Sequence, residues 1–315
     1  MEVPANLPTV QPIKPAKPKL SKMQRSRIRS DWAFIAPQFI IFVVLTIVPL
    51  FVAIPILFTD KAQFNDPQVN PVGWKNFTAV FTERSVQDDY LPALQKTVIF
   101  VLLNYTTIYI FGLSLALLMY EVGFKGGFFT IVYMPLMLSG LATGYAAVML
   151  FAQETGTGNL LLMKAGIIKE QINIYSATGT AFILPLMVGW RYAGYNMAIF
   201  LSGLLSIPTE TIEASVVDGA SYWQRLFRIY FPQMLPSFIL ATTMCLIGSF
   251  SVFDELVALG ATYVNPEAKL LSIIFFTYGF QIDRLAMGMT LALETFVPLM
   301  LLGILLQRLQ RRLQY

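Results

Sequence analysis

Apolar residues along this 315-residue chain gather into six long blocks, at about residues 32–58, 93–120, 128–151, 178–205, 234–259 and 285–306. Polar residues fall largely in the intervals between them. Each block has at least ~20 residues, which at ~1.5 Å per residue crosses ~30 Å of hydrocarbon as a helix. Pro37, Pro49, Pro55, Pro135, Pro185 and Pro298 stand inside blocks. Membrane helices tolerate such prolines because neighbouring groups satisfy the freed carbonyls. The pattern predicts an all-α membrane protein of six transmembrane helices, with residues 31–315 as the membrane domain.

Residues 1–30 break the pattern. Pro4, Pro8, Pro12, Pro15 and Pro18 punctuate them, and no apolar run is followed by a small-residue cleavage site as in a signal peptide. Such a segment buries too little apolar surface to order itself, so a disordered basic tail is expected.

Charge then orients the chain. Six crossings put both termini on one side. If that side is inner, the inner segments hold thirteen Lys and Arg against eight in the longer outer ones. Lys and Arg resist translocation, so both termini are expected in the cytoplasm. Outer loops follow at about 59–92, 152–177 and 260–284, and inner ones at about 121–127 and 206–233. A basic tail can also bind nucleic acid, but beside an apolar block the flanking role explains it, and no nucleic acid is expected as a partner.

Composition narrows the chemistry. The chain is 56% hydrophobic and 13% charged, against about 25% charged for soluble domains. It has no histidine and one cysteine, Cys245. Histidine-based metal sites, general bases and triads are excluded, as are intrachain disulfides and thiolate clusters. No metal site and no catalytic residue is expected. Cys245, among apolar neighbours, reads as a small buried hydrophobe.

The inner loop is the most structured interval. It reads SIPTETIEASVVDGASYWQRLFRIYFPQMLP from Ser206 to Pro236. Pro208 suits a first helical turn, and Glu210 and Glu213 suit the positive end of a helix. Gly219 suits a stop, and Ser221 with Gln224 forms a capping-box pattern opening a second short helix. Leu226, Phe227 and Tyr230 give that helix an apolar face, and Pro232 is expected to end it. A helix–glycine–helix at the membrane surface is a feature that a soluble partner could grip.

This loop resembles the EAA loop of ABC importer permeases, the membrane subunits of binding-protein-dependent uptake systems. Glu213, Ala214, Gly219, Ile229, Pro232, Leu235 and Pro236 carry the core pattern. The longer version in maltose-type sugar permeases is matched by Leu204, Ile207, Pro208, Glu210, Asp218, Ala220, Trp223 and Phe227. Ser215 departs from the usual alanine but is small enough to keep close packing. Further similar elements are Val72–Phe77, Phe124–Lys125–Gly126 with Phe128–Phe129, Trp190 with Gly194, and Ser249–Phe250 with Phe253–Asp254. The resemblance covers roughly residues 32–310.

The resemblance implies the type I ABC importer permease fold and a carbohydrate as cargo. It implies that residues 206–233 dock on an ATP-binding subunit through Glu210, Glu213, Ala214, Asp218, Gly219, Ala220 and Trp223. It also implies a second permease subunit forming a heterodimer, two ATP-binding subunits, an extracytoplasmic solute-binding protein, and an inner-membrane location in a prokaryote. No G-x-x-x-x-G-K-[ST] occurs in the chain. ATP and Mg would therefore sit on the partner ATPases, with no cofactor in this chain and no enzyme activity of its own. An importer of another polar solute, such as a polyamine or phosphonate, is the alternative, and a secondary transporter is a more distant one.

Ionisable groups inside a span are costly and so are functional candidates. Arg191 in the fourth block and Glu294 in the sixth are expected either to pair or to line the substrate path. Tyr192, Tyr195 and Asn196 follow Arg191 and could stack on and hydrogen-bond a sugar. Asp254, beside Glu255 near the outer end of the fifth block, is expected at the watery interface or on the path. Met287 and Thr290 share a helical face with Glu294 and go with it.

Overall fold

The computed structural model describes residues 22–67, 69–122 and 126–313. All of its regular structure is helical apart from one bridge between Thr59 and Pro71. Helices suit a chain in lipid, because they satisfy backbone N–H and C=O groups internally where no water reaches them.

Residues 1–55 form one unit and 56–315 another. The first contains nearly all of helix α1, residues 22–56, whose stretch Ser30–Ile56 has a mean hydropathy of 3.0. A π turn at Val43–Ile47 precedes Pro49. The described part of this helix already includes residues 22–30, which the sequence assigns to the tail. The proline-rich residues 1–21 lie outside the described residues, as do Phe124 and Lys125 of the inner turn.

The second unit begins with a looped segment and α2, Lys75–Thr82, followed by α3, Arg84–Val122. α3 starts about nine residues before its apolar block. The third block is not one continuous helix. α4, Gly127–Met137, and α5, Gly140–Phe151, meet at a 95° bend. The break has local causes: Pro135 sits in the closing 3-10 turn of α4, and Ser139 caps α5 by accepting from the Ala142 N–H. A short α6, Thr157–Lys164, leads to α7, Ala177–Leu205, a continuous 29-residue helix that agrees with the fourth block.

α8, Thr209–Val217, and α9, Tyr222–Gln233, form the inner loop, so named for the side on which it is expected. α10, Leu235–Phe250, leaves α9 at 66°. The fifth block was expected to run to 259, but its helix stops at Phe250. Residues 251–253 are irregular, and a separate short α11 spans Asp254–Ala258. α12, Leu271–Gln281, and α13, Leu285–Leu313, complete the chain.

Among the described residues, α1, α3 and α13 contain stretches long and apolar enough to cross a membrane, and each bent pair adds one more if it counts as a span. α7 is long enough, at about 43 Å. Its polar run Arg191, Tyr192, Tyr195 and Asn196 lowers its hydropathy.

Apolar packing in the second unit divides into clusters. An outer-loop cluster joins Ile183, Leu184, Met187 and Val188 of α7 to Phe151, Leu256, Leu259 and Ile273. An inner-loop cluster joins Met197, Phe200 and Leu204 of α7 to Ala116, Met119, Leu226, Tyr230 and Met234. α3 and α7 run through both, held close by a buried contact of Gly112 with Asn196 and by Thr107, whose hydroxyl donates to the Pro185 carbonyl at 3.1 Å. A third cluster sets Met287 and Leu291 of α13 against Val86, Tyr90 and Tyr278.

An ionic clasp closes that third cluster at its end. Arg284 donates from both terminal nitrogens to Glu83, at 2.6 and 2.9 Å. The hydrogen bond from Arg284 holds the Glu83 carboxyl below the usual carboxylate range. The Leu285 and Ala286 N–H groups donate to the carbonyls of Ala62 and Lys61, which ties the loop after α1 to the start of α13.

Candidate functional site

The inner loop is built as a rigid bracket. α8 ends in a Schellman motif: Ala220 N–H donates to the Ser215 carbonyl at 2.9 Å and Gly219 N–H to Val216 at 3.0 Å. This closure needs a left-handed residue, and Gly219 has φ 74°. Two residues on, Ser221 and Gln224 complete the reciprocal capping box that starts α9. Stop and start signals are separated by one residue, which fixes the angle between the two helices without a slack linker.

Two details differ from the sequence reading. Pro208 is the residue before α8, not inside its first turn. Pro232 does not end α9, which runs on to Gln233 through a π turn at Leu226–Tyr230. A wider turn ahead of a proline relieves the clash of its ring with the preceding carbonyl.

The bracket has a bound face and a free face. Ile207, Leu226 and Tyr230 are buried in the inner-loop cluster, with Ile212 packed against it. Ser215, the position that departs from alanine, is also buried, and its hydroxyl donates to the Ile212 carbonyl at 2.6 Å. Its smallness is retained and its polarity is satisfied internally. Outward face Glu210, Glu213, Ala214, Asp218 and Gly219, while Ala220 is half-buried. Val217 is 87% exposed and Trp223 65% exposed, with Phe227 stacked on Trp223 at 6.2 Å between ring centres. An apolar tip rimmed by carboxylates, on a fixed base, is a docking surface in form.

The second constellation lies between the two α7 clusters. Arg191 Nη1 is 2.7 Å from Glu255 Oε1, and Glu255 is 4% exposed. The expected partner, Glu294, is not the one used. Glu255, expected near water with Asp254, is buried because α11 tucks its first turn under α5. A Cβ on Gly140 would come within 2.6 Å of Asp254 Cβ, and one on Gly144 within 2.5 Å of Ala258 Cβ. Only glycines allow this approach. The spacing Gly140-x-x-x-Gly144 is the close-packing signal in the sequence that marks this contact.

The other candidates separate. Tyr192 lies beneath Arg191, whose Cζ is 5.1 Å from the ring centre. Asn196 is buried against Gly112 and donates to the Tyr192 carbonyl at 2.9 Å, so its amide serves α7 itself. Tyr195 is half-buried. Asp254 is exposed beside the irregular residues 251–253. Met287 and Thr290 are buried within the chain, the Thr290 hydroxyl bonded to the Ala286 carbonyl. Glu294 is half-buried next to Thr295, whose hydroxyl meets Tyr90 at 3.0 Å.

The two helix breaks adjoin at the Gly140–Asp254 contact, and Leu138, Ser139, Ser251 and Asp254 are exposed there. Irregular backbone within a membrane is tolerated where it is buried in protein or borders a watery cavity, not against lipid.

Residues 108–315 match the family model of the binding-protein-dependent transport system inner membrane component. The chain belongs to this family. Its loop, breaks and buried pair are thus features of a transport-system membrane component. Among similar proteins is AmyD of Thermoanaerobacterium thermosulfurigenes, named for a starch degradation products transport system, 28% identical over 87% of this chain and 91% of that protein. LacF of Rhizobium radiobacter, a lactose transport system permease protein, is 25% identical over 82% of this chain and 85% of its own. The membrane component also shares its fold with a chain of a bacterial ABC transporter that imports the acidic polysaccharide alginate. That match has a TM-score of 0.74 at 22% identity, over 92% of this chain and 99% of that one. A second structure of an alginate ABC transporter, in complex with a periplasmic protein bound to an alginate pentasaccharide, matches with a TM-score of 0.73.

Proposed function

We propose that this chain is the membrane-spanning permease subunit of an ATP-driven, binding-protein-dependent importer of a carbohydrate. The bracket of α8 and α9 carries the reading. Its free face presents Val217 and Trp223 among Glu210, Glu213 and Asp218, while its bound face is continuous with the packing of α3 and α7. A push on such a surface moves helices, which is what coupling to a separate ATPase requires. The sugar-transport names of AmyD and LacF, which align along most of the chain, support carbohydrate as the cargo.

The complete transporter under this reading has a second permease subunit, two ATP-binding subunits holding ATP and Mg, and an external binding protein. One bracket per chain favours a paired permease, and the basic residues of the inner segments favour cytoplasmic termini. The path passes the two helix breaks, with Asp254 at its edge, Arg191, Glu255 and Tyr192 behind it, and Glu294 and Tyr195 as further half-buried candidates.

The test is reconstitution of the complex in vesicles with its binding protein. A sugar should accelerate ATP hydrolysis and accumulate inside. Trp223→Ala should leave membrane insertion intact and uncouple the two. Sugar-independent ATP hydrolysis, with stimulation instead by an amine or a phosphonate, would reassign the cargo. Full coupling in Trp223→Ala would remove the bracket from the mechanism.

A further inference from the structure

We infer that a phospholipid with a zwitterionic head group, phosphatidylethanolamine, docks in a cavity between α3 and α7, at the end of these helices away from the bracket. Such a site goes beyond the importer reading and is independent of the cargo. A charged pair at the mouth of an apolar pocket points to it.

The cavity has a volume of about 260 Å³. α3 and α7 form two of its walls and run in the same direction, since Thr107 meets Pro185 and Gly112 meets Asn196. These contacts set Lys96 level with the start of α7. Each helix changes character along the cavity. α3 is polar through Gln95 and Lys96 and apolar from Val98 onward, and α7 opens on Ala177-Thr178-Gly179-Thr180 before turning apolar at Ala181. Lys96 and Ala177 therefore line one end, and Ile99, Phe100, Ala181 and Leu184 the other. A polar-to-apolar step at one level on two neighbouring helices is what the head-group boundary of a bilayer imposes.

The third wall is the 3-10 turn Pro266–Ala268 with Leu270. Lys96 lies 2.9 Å from Glu267 Oε2 and donates to the Pro266 carbonyl at 2.9 Å. The two charged side chains are 32% and 34% exposed, so a ligand reaches both. An ammonium has three N–H donors, and one remains beyond these two contacts. Ala177 adds the positive end of the 29-residue α7. A phosphate fits between Lys96 and that helix end. Glu267 stands beside it, so a purely anionic head group meets a carboxylate as well as the ammonium. A head group with its own ammonium matches both charges, phosphate to Lys96 and ammonium to Glu267. Ethanolamine has N–H donors for the second bond, and choline, fully methylated, has none.

The apolar end suits the first methylenes of an acyl chain. Ile99 on its rim and Val98, Leu102 and Phe182 beside it are exposed, so the rest of the chain continues along an apolar flank. A sugar finds little there. Thr180, the one hydroxyl among the lining residues, already donates to the Ile174 carbonyl at 2.6 Å.

The experiment uses the complete transporter, purified in detergent and titrated with phosphatidylethanolamine, phosphatidylglycerol or phosphatidylcholine of identical acyl chains, with bound lipid read by native mass spectrometry. The unaltered complex should hold phosphatidylethanolamine about fivefold more tightly than either of the others, the effect of roughly one matched charge at a membrane surface. Ala181→Phe fills the apolar end without touching the charges and should abolish the preference. Glu267→Gln leaves Lys96 without its carboxylate and should turn the preference toward phosphatidylglycerol; this milder variant decides the matter if Ala181→Phe fails to assemble. Equal retention of the three lipids by the unaltered complex, as when the second permease subunit fills the cavity, would overturn the inference. So would a preference for phosphatidylethanolamine that survives both substitutions, or one that water-soluble glycerophosphoethanolamine removes at the same concentration as the lipid. None of these measurements involves sugar or ATP, so the importer reading stands or falls separately.

Discussion

Arg191 and Glu255 join two helices that sequence separates by 64 positions, at 2.7 Å and with Glu255 almost wholly buried. The pair sits at the edge of the outer-loop cluster, where Leu256 and Leu259 already pack against α7, so it adds a charged tie between α11 and α7 to that apolar contact. Removing one member leaves the other charged and uncompensated. Glu255→Gln should therefore destabilise the chain by about 3–5 kcal/mol, whereas the double change Arg191→Met with Glu255→Leu should cost much less. Thermal unfolding of the detergent-solubilised complex distinguishes these. Equal losses in both variants would mean that packing, not charge, holds α11 in place.

Gly219 closes α8 with φ 74° and has open space where a Cβ would stand. The cost of substitution is therefore backbone strain rather than collision. Gly219→Val should cost at least ~1–2 kcal/mol at this turn and should change the angle between α8 and α9. Gly219→Asn, which tolerates the left-handed region, should be milder. Uptake coupled to ATP hydrolysis should fall with Val and persist in part with Asn.

The glycine seam between α5 and α11 makes an opposite prediction about space. A side chain at Gly144 meets Ala258 Cβ at 2.5 Å and the Glu255 carbonyl at 2.8 Å, and neither can move away as a flexible tip would. Gly144→Leu should displace α11 and carry Glu255 away from Arg191, with a loss larger than the ~1–3 kcal/mol of ordinary overpacking. Cross-linking of cysteines placed on α5 and α11 would report the separation directly.

The Glu83–Arg284 clasp predicts a pH dependence. Its carboxyl titrates below the ordinary range in the folded chain because Arg284 donates to it. Its contribution is thus complete above about pH 4–5, where an unfolded Glu would ionise, and is lost as pH falls through the lowered folded value. Both side chains are 34% exposed, so the contribution is small, about 1 kcal/mol or less. Glu83→Gln should remove that share of the acid sensitivity, seen as a shallower loss of stability between about pH 5 and pH 3.

The long helices and the bracket were legible because their signals are local. Apolar length reveals α3, α7 and α13. Gly219 and the Ser221–Gln224 pair announce their geometry within four residues, and the structure realises both. The bend at 138–139 and the interruption at 251–253 were not legible as breaks, because apolar composition continues through them and hydropathy does not register direction. The pairing of Arg191 with Glu255 is not legible for a related reason: along a continuous span Glu255 would lie at the outer interface. Once α10 stops at Phe250, Glu255 belongs to a different helix with a different depth.

α7 has a mechanical meaning that its packing alone does not state. It is unbroken over 29 residues and passes into the bracket through three residues, Ser206, Ile207 and Pro208. It has no elbow, whereas α4 and α5 meet at a 95° bend and α9 and α10 at one of 66°. Under the coupling proposed above, a displacement at the α8 end would be carried along α7 to the level of Arg191, some 20 Å away. The unbroken α7 would then act as a push-rod and the bent pairs as the knees that it works.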